Sequence, residues 1–134
     1  MDNERILVIN PGNTSTKVAV YNGVAPLCVE SIKHADEELA AFPDINAQKD
    51  FREELILGFL GRKAIDPKSI RAIAARGGLL KPLASGTYAV DARMVADLVE
   101  ARQGRHASNL AAQIGFSLAN RLGITCYIVD PVSV

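Results

Sequence analysis

Apolar residues dominate three short runs near the start of the chain and predict its first strands. The runs are Arg5–Asn10, Lys17–Tyr21 and Pro26–Ile32, and the turn signal Asn22-Gly23 separates the last two. Runs of this length, rich in β-branched residues and joined by polar turns, are typical of strands that pair with their sequence neighbours. We therefore expect an antiparallel meander of three strands.

A helical repeat of apolar residues follows the meander. Within residues 47–61, four large apolar residues lie at helical spacing: Phe51, Leu55, Phe59 and Leu60. This spacing predicts a helix that buries one face, and the glycine at position 61 marks its end.

Strands and helices alternate over the rest of the chain. The pattern predicts short strands over 71–75, 87–90 and 125–130 and helices over 91–104 and 108–122. Parallel strands are joined by crossover connections, which are usually helices. The order therefore predicts an α/β fold whose mixed sheet opens with the meander and carries helices packed on it.

The composition fits one globular domain over residues 1–134. Hydrophobic residues make up 49% of the chain and charged residues 22%, and a chain of about this size buries roughly two-thirds of its unfolded surface. Basic and acidic residues number 15 each. The resulting net charge of zero argues against an electrostatic interface with nucleic acid or with an anionic membrane.

Two further features of the sequence favour the cytoplasm. No apolar run approaches the roughly 18 residues of a membrane span, and the charged start MDNER is unlike a signal peptide. Cys28 and Cys126 lie far apart in apolar stretches, so we expect buried, reduced core residues rather than a disulfide or a zinc site.

A polar turn between the first two predicted strands is the first candidate binding site. It concentrates carboxamides, hydroxyls and an ammonium in one bend, and its candidate phosphate ligands are Asn10, Gly12, Asn13, Thr14, Ser15 and Lys17. A glycine-containing turn can direct backbone N–H groups outward, and hydroxyls and a lysine complete an anion cradle. Because a strand rather than a helix follows, this is not a P-loop. Ordinary turn chemistry explains the same residues without a ligand.

Candidate residues also follow two later strands. Arg76-Gly77-Gly78 ends one of them, and a planar guanidinium there suits bidentate contact with a phosphate or a carboxylate. Asp130 ends the last strand, at the edge where open α/β sheets bind ligands. The alternatives are a surface arginine beside a flexible turn and an aspartate that begins a turn.

The segment His106-Ala107-Ser108-Asn109 opens the last predicted helix. Free N–H groups and the helix dipole favour anions at such a position, which makes His106 and Asn109 candidate ligands. A capping role for Ser108 explains most of the segment without a ligand. We expect the other histidine, His34, at the surface.

Five segments together resemble one enzyme family. The segments INPGNTSTK, RGGLLKP, GTY, HASNLAA and YIVDPVSV are similar, in order and spacing, to the butyrate kinase and branched-chain-fatty-acid kinase members of the acetate kinase family. The resemblance runs over essentially the whole chain. It implies the ribonuclease H-like N-terminal domain of the acetate and sugar kinase, Hsp70 and actin superfamily, with the C-terminal nucleotide-binding half absent from residues 1–134.

The resemblance also implies an activity. Such kinases transfer the γ-phosphoryl group of ATP to a short-chain carboxylate such as butyrate or isobutyrate, reversibly and with Mg²⁺, to form an acyl phosphate. We expect residues 1–134 to be inactive without the C-terminal domain, and the full-length protein to form a homo-oligomer. A module of the same fold that binds nucleotide or phosphate without catalysis is the alternative.

Site residues are carried over by position. Asn10, Asn13, Ser15 and Lys17 fall on the family's phosphate loop, where Asn13 replaces the commoner serine. Asp130 falls on the aspartate beside the transferring phosphoryl group, with any contact to Mg²⁺ made through water.

The resemblance is less direct at the remaining positions. His106 and Asn109 fall near a His-Asn pair that lines the family's site. The family's essential arginine aligns with Ile73, and Arg76 replaces a histidine. We still expect Arg76, with Gly77 and Gly78, to hold the substrate carboxylate or the phosphoryl oxygens. An apolar tail pocket formed by Leu79, Leu80 and Pro82 is a further expectation, and core packing explains those residues equally well.

Overall fold

The computed structural model describes residues 4–76, 87–100 and 110–129, and its main element is a sheet. The strands are β1 (Arg5–Pro11), β2 (Ser15–Asn22), β3 (Ala25–Lys33), β4 (Ala72–Arg76), β5 (Thr87–Ala89) and β6 (Thr125–Val129). The helices are α1 (Asp36–Ala40), α2 (Lys49–Arg62), α3 (Ala92–Glu100) and α4 (Leu110–Leu122). Single 3₁₀ turns lie at Asn46–Gln48 and Pro67–Ser69. The sequence pattern does not predict α1.

The sheet is mixed, with strand order β3-β2-β1-β4-β6-β5. β1, β2 and β3 form an antiparallel meander, as predicted. β4 lies parallel to both β1 and β6, and β5 closes the far edge antiparallel to β6. The α/β fold class is thus confirmed. The parallel strands β1 and β4 end at the same edge of the sheet, where the polar turn between β1 and β2 also lies.

One face of the sheet is buried beneath α2 and α4. Alternate residues of the central strands form this face together with apolar residues of both helices: Leu7, Ile9, Val18, Val20, Ile73, Cys126, Ile128, Ile56, Phe59, Leu60, Leu110, Ile114 and Leu118. Helix α4 packs on β4 and β6, and α2 packs on α4. Because strand side chains alternate between faces, the intervening residues point to the opposite side.

Helix α4 approaches the sheet closely at Gly115. A Cβ atom at this position would lie 2.5 Å from Sγ of Cys126 on β6, so the absence of a side chain permits the contact. Burial raises the pKa of Cys126 to about 12, which makes its thiol unreactive near neutral pH. Both cysteines are free thiols, but Cys28 is only partly buried, so the expectation of burial holds for Cys126 alone.

The buried face of α2 is rotated from the predicted one. Its buried residues are Arg52, Glu53, Ile56, Phe59 and Leu60, whereas the predicted residues at positions 51 and 55 are only half-buried. The difference arises because two charged residues occupy the buried stripe. Arg52 donates to carbonyls of the turn between β1 and β2, and Glu53 pairs with the exposed Arg121. None of the helices described here is long and apolar enough to cross a membrane.

Candidate functional site

Three polar side chains from three adjacent strands line one cleft of about 290 Å³. Asn10 on β1 pairs with Lys17 on β2 in the antiparallel ladder. Arg76 follows Ala75, which pairs with Ile9, and so ends β4 beside Asn10. The structure therefore brings together three residues that lie 66 positions apart or less in sequence, at the edge where open α/β sheets bind ligands.

The cleft combines positive charge with apolar walls. Its remaining lining residues are Val8, Val18, Ala19, Tyr21 and Val29. No carboxylate is among the described residues that line it. Within the described ranges, the side chains of Asn10, Lys17 and Arg76 also form no hydrogen bond or ion pair. Such a cleft suits a small anion that has a short apolar part.

The turn between β1 and β2 lies next to the cleft and differs in one respect from the predicted cradle. The amide of Gly12 donates to the carbonyl of Ser15 at 2.7 Å, so this amide is not free for a ligand, contrary to the prediction. The amides of Asn13 and Thr14 donate to no residue of the described ranges, and both residues are exposed. The turn therefore offers two consecutive backbone donors.

The carbonyl groups of this turn face the protein interior, where Arg52 of α2 holds them. Nη1 of Arg52 donates to the carbonyls of Gly12 (2.7 Å) and Ser15 (3.0 Å), and Nη2 donates to the carbonyl of Asn13 (3.1 Å). The amide of His34 donates to the carbonyl of Thr14 at 2.9 Å. All four carbonyls of residues 12–15 are thus satisfied from inside.

His34 is a second buried residue beneath the turn, which corrects the expectation that it lies at the surface. Its Nε2 lies 2.8 Å from Oγ1 of Thr16, and its ring packs against Phe51 with centroids 5.4 Å apart. Burial lowers the pKa of His34 below its ordinary value, and the Arg52 guanidinium lowers it further. The imidazole is therefore neutral at neutral pH.

Sequence reasoning did not identify Arg52, although one signal was present. Arg52, Ile56 and Phe59 are spaced as one helical face, so the arginine occupies a position of the apolar stripe. A charged residue at such a position indicates a buried polar partner. The sequence does not show which partner, because the turn that receives the guanidinium lies about 40 residues earlier.

Ile73, which the resemblance aligns with the family's arginine, does not line the cleft. Ile73 is fully buried on the helix-covered face of β4, whereas Arg76 lines the cleft on the other face. An arginine at position 73 would have to enter the core. In this chain, Arg76 is the guanidinium that the described strands present to the cleft.

The other predicted site residues lie outside the described residues: Gly77, Gly78, His106, Asn109 and Asp130, as do Leu79, Leu80 and Pro82 of the expected tail pocket. The sheet register nevertheless bears on Asp130, because Val129 pairs with Arg76. The aspartate thus comes directly after the residue that pairs with Arg76.

The described residues do not form a metal site by themselves. No group of three or more His, Cys, Asp or Glu side chains within these ranges is placed to hold a metal ion. The cleft residues Asn10, Lys17 and Arg76 instead suit an anion, including an anion that binds together with a metal cation.

Comparisons with known proteins agree with this architecture. The chain is 46% identical over 129 residues to a probable butyrate kinase of Listeria monocytogenes, covering 96% of this chain and 36% of that protein. It is 45% identical over 130 residues to butyrate kinase 2 of Clostridium acetobutylicum, covering 97% of this chain and 36% of that protein. The chain thus spans about a third of the length of these curated relatives. No protein-family model matches it.

A solved structure confirms the fold. The acetate kinase of Porphyromonas gingivalis superposes with a TM-score of 0.61 and 16% sequence identity, over 94% of this chain and 37% of that one. At this level of identity the similarity concerns the fold alone. The chain has the architecture expected of the N-terminal part of an acetate kinase-like protein.

Proposed function

We propose that this chain, a homologue of the butyrate kinases over almost its whole length, is the N-terminal domain of a carboxylate kinase. The full-length protein would transfer the γ-phosphoryl group of ATP to a short-chain carboxylate such as butyrate or isobutyrate, forming an acyl phosphate and ADP. The reaction is reversible. The observation that carries this proposal is the convergence of Asn10, Lys17 and Arg76 on one cleft beside the free amides of the turn.

The proposed roles follow from the chemistry of phosphoryl transfer. Catalysis of this reaction depends mainly on holding the reacting groups in line and neutralising charge on the phosphoryl oxygens. Lys17 and the amides of Asn13 and Thr14 are suited to bind phosphate oxygens, together with the side chains of Asn10 and Ser15. Arg76 is suited to orient the carboxylate by bidentate hydrogen bonds.

ATP and Mg²⁺ belong to the proposal. Mg²⁺ would neutralise charge on the phosphates of ATP, and Asp130 is the carboxylate of this chain that we assign to it, through water. His106 and Asn109, with Gly77 and Gly78, are assigned to the substrate by resemblance.

The cleft also bears on the choice of acid. Val8, Ala19 and Val29 provide apolar surface beside the cationic groups, which suits a short aliphatic chain. Burial of one methylene contributes only about 0.8 kcal/mol, so we expect modest discrimination between acids of similar length.

The remaining parts of the proposal concern the complete protein. Residues 1–134 form one domain that is inactive without the C-terminal domain, because the site between the two would be incomplete. We place the homo-oligomeric protein in the cytoplasm, without a nucleic acid or membrane partner. The free thiols of Cys28 and Cys126 fit a reducing compartment.

Titration of the ¹⁵N-labelled chain with inorganic phosphate tests the proposed site. We expect amide shifts centred on Asn13 and Thr14, saturating in the millimolar range. Lys17→Met should weaken binding by about tenfold or more, since a hydrogen bond to a charged group contributes about 1.5–3 kcal/mol.

The matched control is Lys68→Met, because Lys68 lies in the 3₁₀ turn before β4, at the opposite edge of the sheet. This variant should bind phosphate like the unmodified chain. Equal affinity in the Lys17→Met variant, or no response of the turn, would contradict the proposed site. Phosphate binding by a full-length protein that has no turnover would favour the non-catalytic module.

A further inference from the structure

We propose that Arg52 is a positioning residue for phosphoryl transfer, which holds the β1–β2 turn from inside so that its amides face the phosphate. This inference rests on the proposed function and extends it to a residue on another element. Arg52 does not line the cleft and does not contact the ligand itself. It would act through the turn.

The hydrogen bonds of Arg52 fix the orientation of the turn. The guanidinium binds the carbonyls of Gly12, Asn13 and Ser15 at once, and Nη1 also lies 3.2 Å from Oγ1 of Thr16. In a trans peptide group, the C=O of one residue and the N–H of the next residue point in opposite directions. A carbonyl that points inward therefore leaves the N–H of the following residue pointing outward. The inward carbonyls of Gly12 and Asn13 therefore determine that the amides of Asn13 and Thr14 face solvent.

The guanidinium is itself held in place. Gln48, at the start of α2, accepts from both Nη2 (2.7 Å) and Nε (3.1 Å) of Arg52 through its Oε1. Both side chains are buried, and Arg52 is fully inaccessible to solvent. The planar fork is thus rigid, and a lysine ammonium has neither the geometry nor the number of donors to replace it.

The charge of Arg52 has no carboxylate counterpart among the described residues. Its acceptors are backbone carbonyls, one hydroxyl and one carboxamide. The neighbouring Glu53 instead pairs with Arg121 at 2.8 Å and with Lys49 at 3.6 Å. Burying a charge without a counter-ion is unfavourable, and an anion bound on the outer side of the turn would supply the missing negative charge.

The guanidinium remains charged under working conditions. Burial lowers the pKa of Arg52 to about 10, which is still well above neutral pH. A permanent positive charge beneath the turn adds to that of Lys17 and Arg76 around it. The turn is therefore held between a buried cation and two exposed ones, which favours a multiply charged phosphoryl group over a singly charged ligand.

The test compares Arg52→Gln and Arg52→Lys with Arg62→Gln. Arg62 lies on the same helix but forms an exposed ion pair with Glu30, so its variant controls for the loss of charge from α2. Phosphate affinity is measured by the amide shifts of Asn13 and Thr14 at a temperature where each variant is folded. We expect a loss of about tenfold for Arg52→Gln, about threefold for Arg52→Lys and less than twofold for Arg62→Gln.

Kinetics of the full-length protein separate positioning from a structural role. We expect the KM for ATP to rise in Arg52→Lys while the KM for the carboxylate stays within twofold, because Arg52 acts on the turn alone. A role in stability alone would lower the melting temperature and leave both the phosphate affinity and the KM for ATP unchanged in the folded variants, which would overturn the inference.

The outcomes distinguish this inference from the proposed function. Should Arg52→Gln fail to fold, Arg52→Lys decides, and unchanged phosphate affinity in that variant would refute the inference. An active kinase that is insensitive to Arg52→Lys contradicts the role of Arg52 alone. An unmodified full-length protein without kinase activity contradicts the proposed function, and a turn that does not bind phosphate contradicts both.

Discussion

Replacement of Asp130 by asparagine in the full-length protein is expected to lower the kcat for acyl phosphate formation by about a thousandfold or more. Asp130 follows Val129, which pairs with Arg76 at the end of β4, and our proposal assigns it, by resemblance, to the position beside the transferring phosphoryl group. Loss of one preorganised electrostatic group in such a site costs about 10²–10³-fold, and loss of its contact to hydrated Mg²⁺ adds to that.

The measurement is trapping of the acyl phosphate with hydroxylamine, with circular dichroism to show that the variant is folded. Asp50→Asn is the control, because the carboxylate of Asp50 is exposed on the surface of α2. It should leave turnover within twofold of the unmodified protein. Activity of Asp130→Asn within tenfold of that level would show that Asp130 has no part in the chemistry.

Arg76→Met is expected to lower kcat/KM for the carboxylate by about a hundredfold or more. The guanidinium lines the cleft with Asn10 and Lys17 and has no partner among the described residues. It is therefore available for bidentate contact with a carboxylate, and removal of one member of a hydrogen-bonded charge pair costs about 2–5 kcal/mol.

Arg76→Lys separates the two properties of the side chain in the same assay. The lysine ammonium keeps the positive charge but lacks the planar fork of the guanidinium. We therefore expect kcat/KM for the carboxylate to fall less than in Arg76→Met but to stay below that of the unmodified protein. Arg93→Gln, an exposed arginine of α3, is the control. If Arg76→Met retained full kcat/KM for butyrate, the assignment of Arg76 to the substrate would be wrong.

Much of this fold is determined by local patterns, which explains why the sequence predicts it. Short β-branched runs separated by Asn22-Gly23 and by the polar turn can pair only as a meander, and the observed antiparallel register of β1, β2 and β3 agrees. That pairing also brings Asn10 opposite Lys17, so two candidate ligands meet through local structure alone.

The convergence of Arg76 on the same cleft depends on longer-range order. It requires β4 to lie beside β1 and parallel to it. A crossover through α2 allows this arrangement but does not determine which residues of the two strands pair. The sequence therefore placed Arg76 at the correct edge without showing which face it occupies. The structure supplies that face, and with it the contrast between Arg76 and the buried Ile73.

The partners of the buried residues beneath the turn were outside the reach of the sequence. Arg52 and His34 are polar, and polar residues are usually exposed, so their burial was not expected. Each is buried because it meets the carbonyl groups or the threonine of a turn that lies far away in the chain. Hydrogen bonds of this kind leave no periodicity in the sequence, and only tertiary structure reveals them.

Formation of an acyl phosphate by the full-length protein is the decisive test of the proposed carboxylate kinase activity. The protein is incubated with MgATP and butyrate or isobutyrate, and the product is trapped as the hydroxamate. We expect hydroxamate formation that requires both ATP and the acid, and no hydroxamate from residues 1–134 alone. A folded full-length protein that binds phosphate at the β1–β2 turn but forms no hydroxamate from any short-chain acid would contradict it.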